Sequence, residues 1–281
     1  MTSRKTAAAE LRAISDAVQA IAAPSSISLI SKLPDGSIII GSGVLVQVET
    51  RAMIFTAAHV IEDAVRRGGS LQAGNGIDLA GAEAKVSPNP DKVDDETRLD
   101  APAIRVRDGG DRLDSAWIDL TNEQAARFRE EGRKFLRTSE IWTGFEHPPV
   151  APTGVQFALH GYPVATTTAA DDRSSVRTRA QFCVLPGAGP EVIAGPRELA
   201  LRYRTDVQAL SGDGESIEPL NPHGFSGCGV WTFPLVRLVA IFHTWDEAKG
   251  IGRATVTPTI FEALLDYDPD LARCYALKVG P

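Results

Sequence analysis

Apolar and polar positions alternate along much of the first half of the chain, a pattern typical of short β-strands. Residues 27–48 carry β-branched runs that are interrupted by Pro34-Asp35-Gly36 and by Gly41-Ser42-Gly43. These interruptions predict hairpin turns and a kink. The next apolar segment, MIFTAAHVI, predicts a strand that leads into a helical turn. Further strands are predicted at residues 76–86, 103–106 and 115–120, and short strands at such close spacing indicate a sandwich or a barrel.

A second β-rich half follows a predicted linker at His147-Pro148-Pro149. Its apolar segments are GVQFALHGYP, VRTRAQFCV, LALRYRTDV and VWTFPLVRLVAIFHTW. The first three predict one strand each, and the last is long enough for two. The sequence therefore predicts two β-rich halves.

Three helices are predicted beside the strands. Apolar residues at positions 11, 14, 18 and 21 form one stripe, so we expect a short helix that ends at Pro24 and packs on the domain surface or against a partner. Thr121 followed by Gln124 has the form of a capping box and predicts a helix over residues 121–136, between the two halves. Thr257-Pro258 predicts the start of a last helix.

Charge and cysteine content narrow the function classes. The 281 residues carry 29 basic and 36 acidic side chains, a net charge of −7, which disfavours nucleic acid as a partner. No apolar run reaches the ~18 residues that a membrane span requires. Three cysteines without a CxxC pair, Cys183, Cys228 and Cys274, argue against a disulfide framework or a metal site. We therefore expect a cytoplasmic protein without a membrane partner or a bound metal.

Three fragments could carry chemistry. His59 follows an apolar strand in TAAH, Asp114 opens a strand in DSAWIDL, and Ser226 lies in the glycine-rich turn HGFSGCGVW. Glycines on both sides of a serine allow backbone amides to point at an incoming oxygen, as an oxyanion hole requires. Taken singly, each fragment also fits a structural histidine, an ordinary strand or a tight turn. Together they place histidine, aspartate and serine in that order, 55 and 112 positions apart.

With these motifs in this order, the sequence resembles the trypsin-like, or chymotrypsin-fold, serine peptidases. TAAHV is similar to the histidine box of that family, DSAWIDL to its aspartate strand and GFSGCGVW to its serine loop, and GSGVLV and GYP resemble segments of its bacterial members. The resemblance spans residues 26 to 265 and points to the bacterial cytosolic type without a PDZ domain. It implies an all-β fold of two packed six-stranded antiparallel β-barrels, with an N-terminal helix, an inter-barrel helix and a C-terminal helix.

The resemblance also divides the chain. We expect an N-terminal helix at residues 1–23, the first barrel with the connecting helix at 24–147, and the second barrel with the C-terminal helix and tail at 148–281.

The resemblance implies a role for each matching residue. Ser226 would attack the peptide carbonyl, His59 would take its proton, and Asp114 would hold the other ring nitrogen. The backbone amides of Gly224 and Ser226 would form the oxyanion hole. The reaction would be acyl transfer to water through an acyl-enzyme, and it requires no cofactor.

Two of these assignments face alternatives. Asp111 and Asp119 compete with Asp114, which is preferred because an alanine follows it two positions later, as in the family, and because Asp119 lies further along the strand. Cys228 stands where the family has a glycine. We expect it to pack as a small apolar side chain rather than to act as a thiol nucleophile.

The substrate pocket is expected beside the serine loop. Leu220, six positions before Ser226, falls at the base of the family's pocket and argues against a demand for lysine or arginine. Glu215 and Glu218 in the same loop would favour a basic side chain if they turned inward, so both preferences stay open. The expected substrate-binding residues are Leu220, His223, His243 and Trp245.

The leading hypothesis is a serine endopeptidase that acts on polypeptides, either alone or once an activating protein partner arranges its oxyanion loop, as a defence effector or a processing protease. The main alternative is a catalytically unproductive trypsin-like fold that serves as a protein-binding module. An α/β-hydrolase is disfavoured, because Cys228 replaces the second glycine of GxSxG and the sequence shows no alternation of strands and helices.

Overall fold

The structure, a computed structural model, describes residues 2–85, 105–108, 111–143, 156–169, 176–186, 197–203, 209–210, 216–217, 221–233 and 235–271. Four α-helices lie in these ranges: α1 (Thr2–Ser25), α2 (Ala58–Arg66), α3 (Asn122–Glu130) and α4 (Thr257–Tyr267). The strands of the same ranges are β1 (Ser26–Lys32), β2 (Ile38–Val48), β3 (Arg51–Thr56), β4 (Ser70–Ala73), β5 (Ile77–Asp78), β6 (Glu83–Lys85), β7 (Arg105–Asp108), β8 (Asp111–Asp114), β9 (Ala116–Asp119), β10 (Leu136–Arg137), β11 (Gln156–Gly161), β12 (Thr167–Ala169), β13 (Val176–Thr178), β14 (Gln181–Pro186), β15 (Glu198–Arg202), β16 (Ala209–Leu210), β17 (Ser216–Ile217), β18 (Gly229–Thr232), β19 (Arg237–Asp246) and β20 (Ile251–Val256).

Most of these strands form two antiparallel sheets. The first has the order β5-β4-β1-β2-β3-β9-β6, and β10 joins it in parallel beside β2. The second has the order β15-β20-β19-β18-β11-β14-β16-β17. Within the described ranges, each sheet has six strands of three or more residues and two strands of only two residues. The predicted chymotrypsin-like class of two six-stranded antiparallel β-units is confirmed, with α1 before them in the chain, α3 between them and α4 after them.

The buried apolar side chains form three clusters. One belongs to the first sheet with helices α2 and α3, and a second belongs to the second sheet. The third joins the two sheets, because it contains Trp117 of β9, Trp231 of β18 and Phe261 of α4, none of them more than 1% exposed. Burying one such ring contributes about 2–3 kcal/mol. The two sheets therefore share part of their apolar core.

Helix α1 completes the shared cluster, since Val18 and Ala22 are fully buried in it. The prediction that Pro24 ends this helix is wrong by one residue, because α1 ends at Ser25. The hydroxyl of Ser25 donates to the carbonyl oxygens of Ile21 at 2.9 Å and Ala22 at 3.1 Å. These bonds occupy carbonyls of the last turn, where the chain runs on directly into β1.

The capping box at the start of α3 is confirmed. Thr121 Oγ1 accepts a hydrogen bond from the Gln124 N–H at 3.2 Å, and the Gln124 side chain accepts one from the Thr121 N–H at 3.0 Å. The helix stops at Glu130 rather than at residue 136. It stops there because the chain turns at Gly132, whose φ of +76° favours glycine.

The segment 176–184, predicted as one strand, is divided between β13 and β14, which belong to different sheets. Alternation of apolar positions reports which face a side chain takes, but it does not report which strand is the partner. The predicted linker at residues 147–149 and Cys274 lie outside the described residues. In the part of the chain that the structure describes, no helix combines the length and the apolar character needed to cross a bilayer.

Candidate active site

His59 is positioned by the passage from β3 into α2. It is the second residue of the helix, and the preceding Ala57 has the extended conformation of a helix N-cap. The buried face of the helix includes Ala58, Val60 and Ile61. They anchor the first turn, while the side chain of His59 remains 37% exposed just beyond the end of β3.

Asp114 reaches His59 because of the register between two strands. β3 and β9 are antiparallel neighbours, and Thr56 pairs with Ala116 at their adjoining ends. Asp114 lies two positions before Ala116 and His59 three positions after Thr56. The carboxylate accepts one hydrogen bond from the His59 N–H at 2.9 Å and a second, short one from Nδ1 of the ring. This arrangement leaves Nε2 as the ring nitrogen that can accept a proton.

The two groups perturb each other's titration. Burial acts to lower the pKa of His59, but the hydrogen bond and charge of Asp114, with a smaller contribution from the charge of Asp63, outweigh it and raise this pKa above 6.5. Burial acts to raise the pKa of Asp114, but its bonds to His59 and the charges of His59 and His243 leave this pKa below its ordinary value. The pair therefore favours a carboxylate beside an imidazole that can carry charge.

The competing aspartates are placed elsewhere. Asp119 forms a short ion pair with Arg51, which also contacts Asp268. Asp111 pairs with Asp108 across the β7–β8 hairpin. Asp114 contacts His59, whereas the carboxylate of Asp119 is engaged by Arg51.

The serine loop, residues 222–228, is held by its carbonyl oxygens. The carbonyls of His223 and Phe225 accept hydrogen bonds from the N–H groups of Val164 at 2.7 Å and Cys228 at 2.8 Å. The carbonyl of Gly224 accepts one from Ser42 Oγ and that of Ser226 one from the Ser42 N–H, both at 2.8 Å. Four consecutive carbonyls are therefore fixed, by partners that include a strand of the other sheet.

The amides of the same loop alternate between bonded and free. The N–H groups at positions 223, 225, 227 and 228 donate to Asn221 Oδ1 and to the carbonyls at 222, 242 and 225. Among the described residues, no acceptor lies within hydrogen-bond reach of the N–H groups of Gly224 and Ser226. Because a trans peptide directs its N–H opposite to its carbonyl, the bonds to the His223 and Phe225 carbonyls also fix the directions of these two amides.

Close backbone contacts explain two glycines of the loop. Gly224 has φ +95°, and a Cβ there would lie 2.6 Å from the backbone nitrogen of Val164. Gly227 has φ +88°, and a Cβ there would overlap the Ser42 carbonyl oxygen and Thr56 Oγ1. Both positions require glycine for conformation and for space.

Ser226 and His59 line the same cavity of about 280 Å³. Its other lining residues are Pro222, His223, Phe242, His243, Thr244 and Trp245. Ser226 Oγ donates to the carbonyl oxygen of His243 at 3.3 Å, and within the described ranges no hydrogen bond joins it to His59. The structure therefore brings the hydroxyl and the imidazole to one cavity without bonding them to each other.

The predicted substrate-binding residues have different surroundings. His243 is 5% exposed, with Nδ1 2.8 Å from Thr244 Oγ1 and Nε2 3.4 Å from Glu198 Oε1. The other carboxylate oxygen of Glu198 accepts from Arg253 at 2.9 Å. Burial acts to raise the pKa of Glu198, but its contacts with His243 and Arg253 outweigh burial and lower it.

Trp245 packs edge-on against Tyr203, with ring centroids 5.8 Å apart, and His223 is exposed at the mouth of the cavity. Leu220 lies outside the described residues. The structure thus brings three of the four predicted substrate-binding residues to the cavity.

Cys228 is fully buried in the apolar cluster of the second sheet, and burial raises the pKa of its thiol well above the ordinary value. A thiol in that environment is a poor nucleophile. Across the ranges that the structure describes, no group of three histidine, cysteine, aspartate or glutamate side chains is arranged to hold a metal ion.

Sequence reasoning did not single out Ser42 or Glu198. Ser42 could have been found from Gly41-Ser42-Gly43, since glycines inside a strand often mark a close approach of another backbone. Glu198 carries no such signal, because it meets His243 only through the pairing of β15, β20 and β19.

Comparison with known proteins gives similarities of fold only. No family model matches the chain, and no curated protein matches it. The Rv3671c protease of M. tuberculosis, in its active form, is 14% identical, with 88% of this chain and 82% of that one covered and a TM-score of 0.45. The tobacco etch virus protease complexed with product is 12% identical, with coverages of 89% and 79% and a TM-score of 0.46. HL collagenase is 13% identical, with coverages of 87% and 93% and a TM-score of 0.47. Similarity at these values shows nothing of the activity of this chain.

Proposed function

We propose that this protein is a serine endopeptidase that hydrolyses peptide bonds through Ser226, His59 and Asp114. The observation that carries the proposal is the cavity that His59, already bonded to Asp114, shares with Ser226 of the serine loop. A serine hydroxyl is a weak nucleophile until a base takes its proton. His59 Nε2 is the ring nitrogen left free to do so.

The reaction follows from these positions. Ser226 Oγ turns from the His243 carbonyl toward His59, bonds to the substrate carbonyl carbon and gives its proton to Nε2. The C–N bond then breaks, and His59 passes that proton to the leaving nitrogen. Water repeats the sequence on the ester: its oxygen bonds to the same carbon and its proton passes to His59. The bond between that carbon and Ser226 Oγ then breaks, His59 returns the proton to Oγ, and the acid product departs. Asp114 keeps the ring oriented and stabilises its charged form.

The free amides of Gly224 and Ser226 would bind the negative oxygen of the tetrahedral intermediate. A donor of this kind contributes roughly 2.7–4 kcal/mol to transition-state stabilisation. Because the carbonyls of the loop already hold both amides in place, the hole requires no rearrangement of the loop.

The substrate is a polypeptide whose side chain enters beside Trp245, His243 and His223. The reaction needs no cofactor, and the free, buried thiols of Cys183 and Cys228 suit a reducing compartment such as the cytoplasm. Activation by a protein partner would act on the one contact that is missing, between Ser226 and His59.

The alternative is a protein-binding module without catalysis, which the bond from Ser226 Oγ to the His243 carbonyl favours. A hydroxyl held in that orientation does not meet the base. Catalytic hydrogen bonds often tighten only in the substrate complex, so this geometry does not decide against the peptidase.

A fluorophosphonate probe separates the two functions. We expect it to modify the wild type at Ser226, as mapped by mass spectrometry, and to leave Ser226→Ala unmodified with its unfolding midpoint unchanged. Cys228→Ala serves as the matched control. It removes the thiol nearest to Ser226 in the serine loop, and we expect the probe to label it as it labels the wild type.

Equal labelling of the wild type and Ser226→Ala would overturn the proposal. A wild type that is never labelled, even with an extract of the source cells added, would favour the binding module. Labelling that appears only with the extract would indicate partner-dependent activity.

A further inference from the structure

Ser42 makes three hydrogen bonds to residues of the second half of the chain and one to Thr56 of β3. Its N–H donates to the Ser226 carbonyl, and its hydroxyl donates to the Gly224 carbonyl, each at 2.8 Å. The same hydroxyl accepts from the Tyr162 N–H at 2.9 Å, and the Ser42 carbonyl accepts from Thr56 Oγ1 at 2.7 Å. Ser42 is fully buried, so water does not replace any of these partners.

The strand around Ser42 is built for this close approach. A Cβ at Gly41 would lie 2.6 Å from Val60 Cγ1, and a Cβ at Gly43 would lie 2.6 Å from Ile54 Cγ2. On the facing side, a Cβ at Gly161 would lie 2.9 Å from the Ser42 hydroxyl. The side chain at position 42 is therefore confined between the first sheet and the serine loop.

We propose that Ser42 is a positioning residue that fixes the oxyanion-binding amides through its hydroxyl. The inference rests on the proposed peptidase function. The hydroxyl bridges Gly224 and Tyr162, and so ties the start of the serine loop to the end of β11 and to β2 together. No other side chain of the described residues bonds a carbonyl between positions 223 and 226.

Removing the hydroxyl leaves the Gly224 carbonyl and the Tyr162 N–H buried without a partner. The peptide between residues 224 and 225 then keeps only the bond from its Phe225 N–H to the Pro222 carbonyl. Because this peptide joins the two peptides that carry the Gly224 and Ser226 amides, its shift displaces both amides. A donor of an oxyanion hole acts on the transition state and adds little to substrate binding. A displacement on the order of 1 Å costs about 10²-fold in rate. We therefore expect Ser42→Ala to lower kcat about 10²-fold and to change KM less than about threefold.

The experiment compares Ser42→Ala with Ser42→Thr and Ser28→Ala in the full chain. Threonine keeps the hydroxyl but adds a methyl group to a confined site, so it should recover part of kcat. Ser28 is the cross-strand partner of Ser42 and is equally buried, but its hydroxyl reaches only the Gly74 carbonyl at 3.5 Å. Its replacement should leave kcat near the wild-type value. If Ser42→Ala does not fold, Ser42→Cys, a weaker donor of similar size, takes its place.

Amide hydrogen exchange gives a readout that does not depend on catalysis. The Tyr162 amide and the segment 223–228 should exchange at least about tenfold faster in Ser42→Ala than in Ser28→Ala, and slow again in Ser42→Thr. Faster exchange with an unchanged kcat would overturn the inference and make the hydroxyl purely structural. If the wild type is not labelled by fluorophosphonate, the proposed function fails. In that case amide exchange of residues 223–228 is the remaining test of whether Ser42 positions the amides of the loop. Equal exchange rates in Ser42→Ala and Ser28→Ala would overturn the inference.

Discussion

The two sheets hold their parts of the candidate active site in different ways. In the first, a side chain holds a side chain: His59 of α2 follows β3 and Asp114 of β8 precedes β9. The antiparallel pairing of β3 with β9 brings the two residues into hydrogen-bond contact. In the second, the backbone holds Ser226: its loop is fixed through carbonyls whose partners include Ser42 of the first sheet. The imidazole therefore depends on one sheet, whereas the hydroxyl depends on how the two sheets pack.

Asp114→Asn breaks the first sheet's pair and should produce the largest effect. The amide cannot stabilise the charged imidazole, and the equivalent change in the serine-protease template lowers kcat about 10⁴-fold. Assays of peptide hydrolysis against Asp114→Asn and Asp119→Asn make the comparison.

Asp119→Asn is the matched control, because it removes a carboxylate from the following strand, β9, and breaks the ion pair with Arg51. We expect it to keep kcat and to lose at most about 1 kcal/mol of unfolding free energy. An equal loss of kcat in both variants would mean that Asp114 has no special role.

Gly227→Ala disturbs the serine loop, which is held through its backbone. The new Cβ would overlap Ser42 and Thr56 at a positive φ, so conformational strain adds to overpacking, and the free energy of unfolding should fall by about 3 kcal/mol. Chemical denaturation measures the change.

Gly132→Ala separates the two causes, since Gly132 has φ +76° but nothing within 4 Å of its would-be Cβ. This variant should lose only about 1 kcal/mol. Equal losses of unfolding free energy in Gly227→Ala and Gly132→Ala would mean that position 227 requires glycine for its conformation alone, and not for the close packing around the serine loop.

The titration of His59 should produce the smallest of the three effects. Only the neutral ring accepts a proton, so activity should be present above its pKa and fall as the pH drops through it. That pKa is raised above 6.5, which places the acidic limb of kcat/KM above pH 6.5.

NMR titration of the imidazole in Asp63→Asn and Asp114→Asn tests the causes. Asp63→Asn removes the smallest of the raising effects and should move the midpoint slightly downward. Asp114→Asn removes the carboxylate whose hydrogen bond and charge mainly raise the pKa of His59. Burial, which lowers this pKa, then dominates, and the midpoint should move below 6.5. A midpoint that does not move in Asp114→Asn would contradict the coupling of the pair.

Local chemistry explains what the sequence could predict. The β3–α2 junction, the capping box of α3 and the start of α4 depend on residues within a few positions of each other, and the structure has them as predicted. The preference for Asp114 rested on the family-like alanine at position 116 and on the place of Asp119 further along the strand, and the contact between Asp114 and His59 agrees with it.

Long-range packing explains what the sequence could not predict. The Ser42 hydroxyl meets a carbonyl 182 positions away, and no periodicity encodes that contact. The direction of Ser226 Oγ depends on a carbonyl of β19, and the division of segment 176–184 depends on which strands are free to pair. Each of these features is decided only when separate strands come together.

The apolar cluster shared by both sheets has a consequence for how the chain can be divided. Trp117, Trp231 and Phe261 come from separate stretches of sequence, and Val18 of α1 packs into the same cluster. A break in the polypeptide between the sheets would give two fragments, each with an apolar face exposed to water. Neither fragment would fold alone, and the native structure would return only when the two recombined, so this architecture is suited to a split-protein reporter of reassociation.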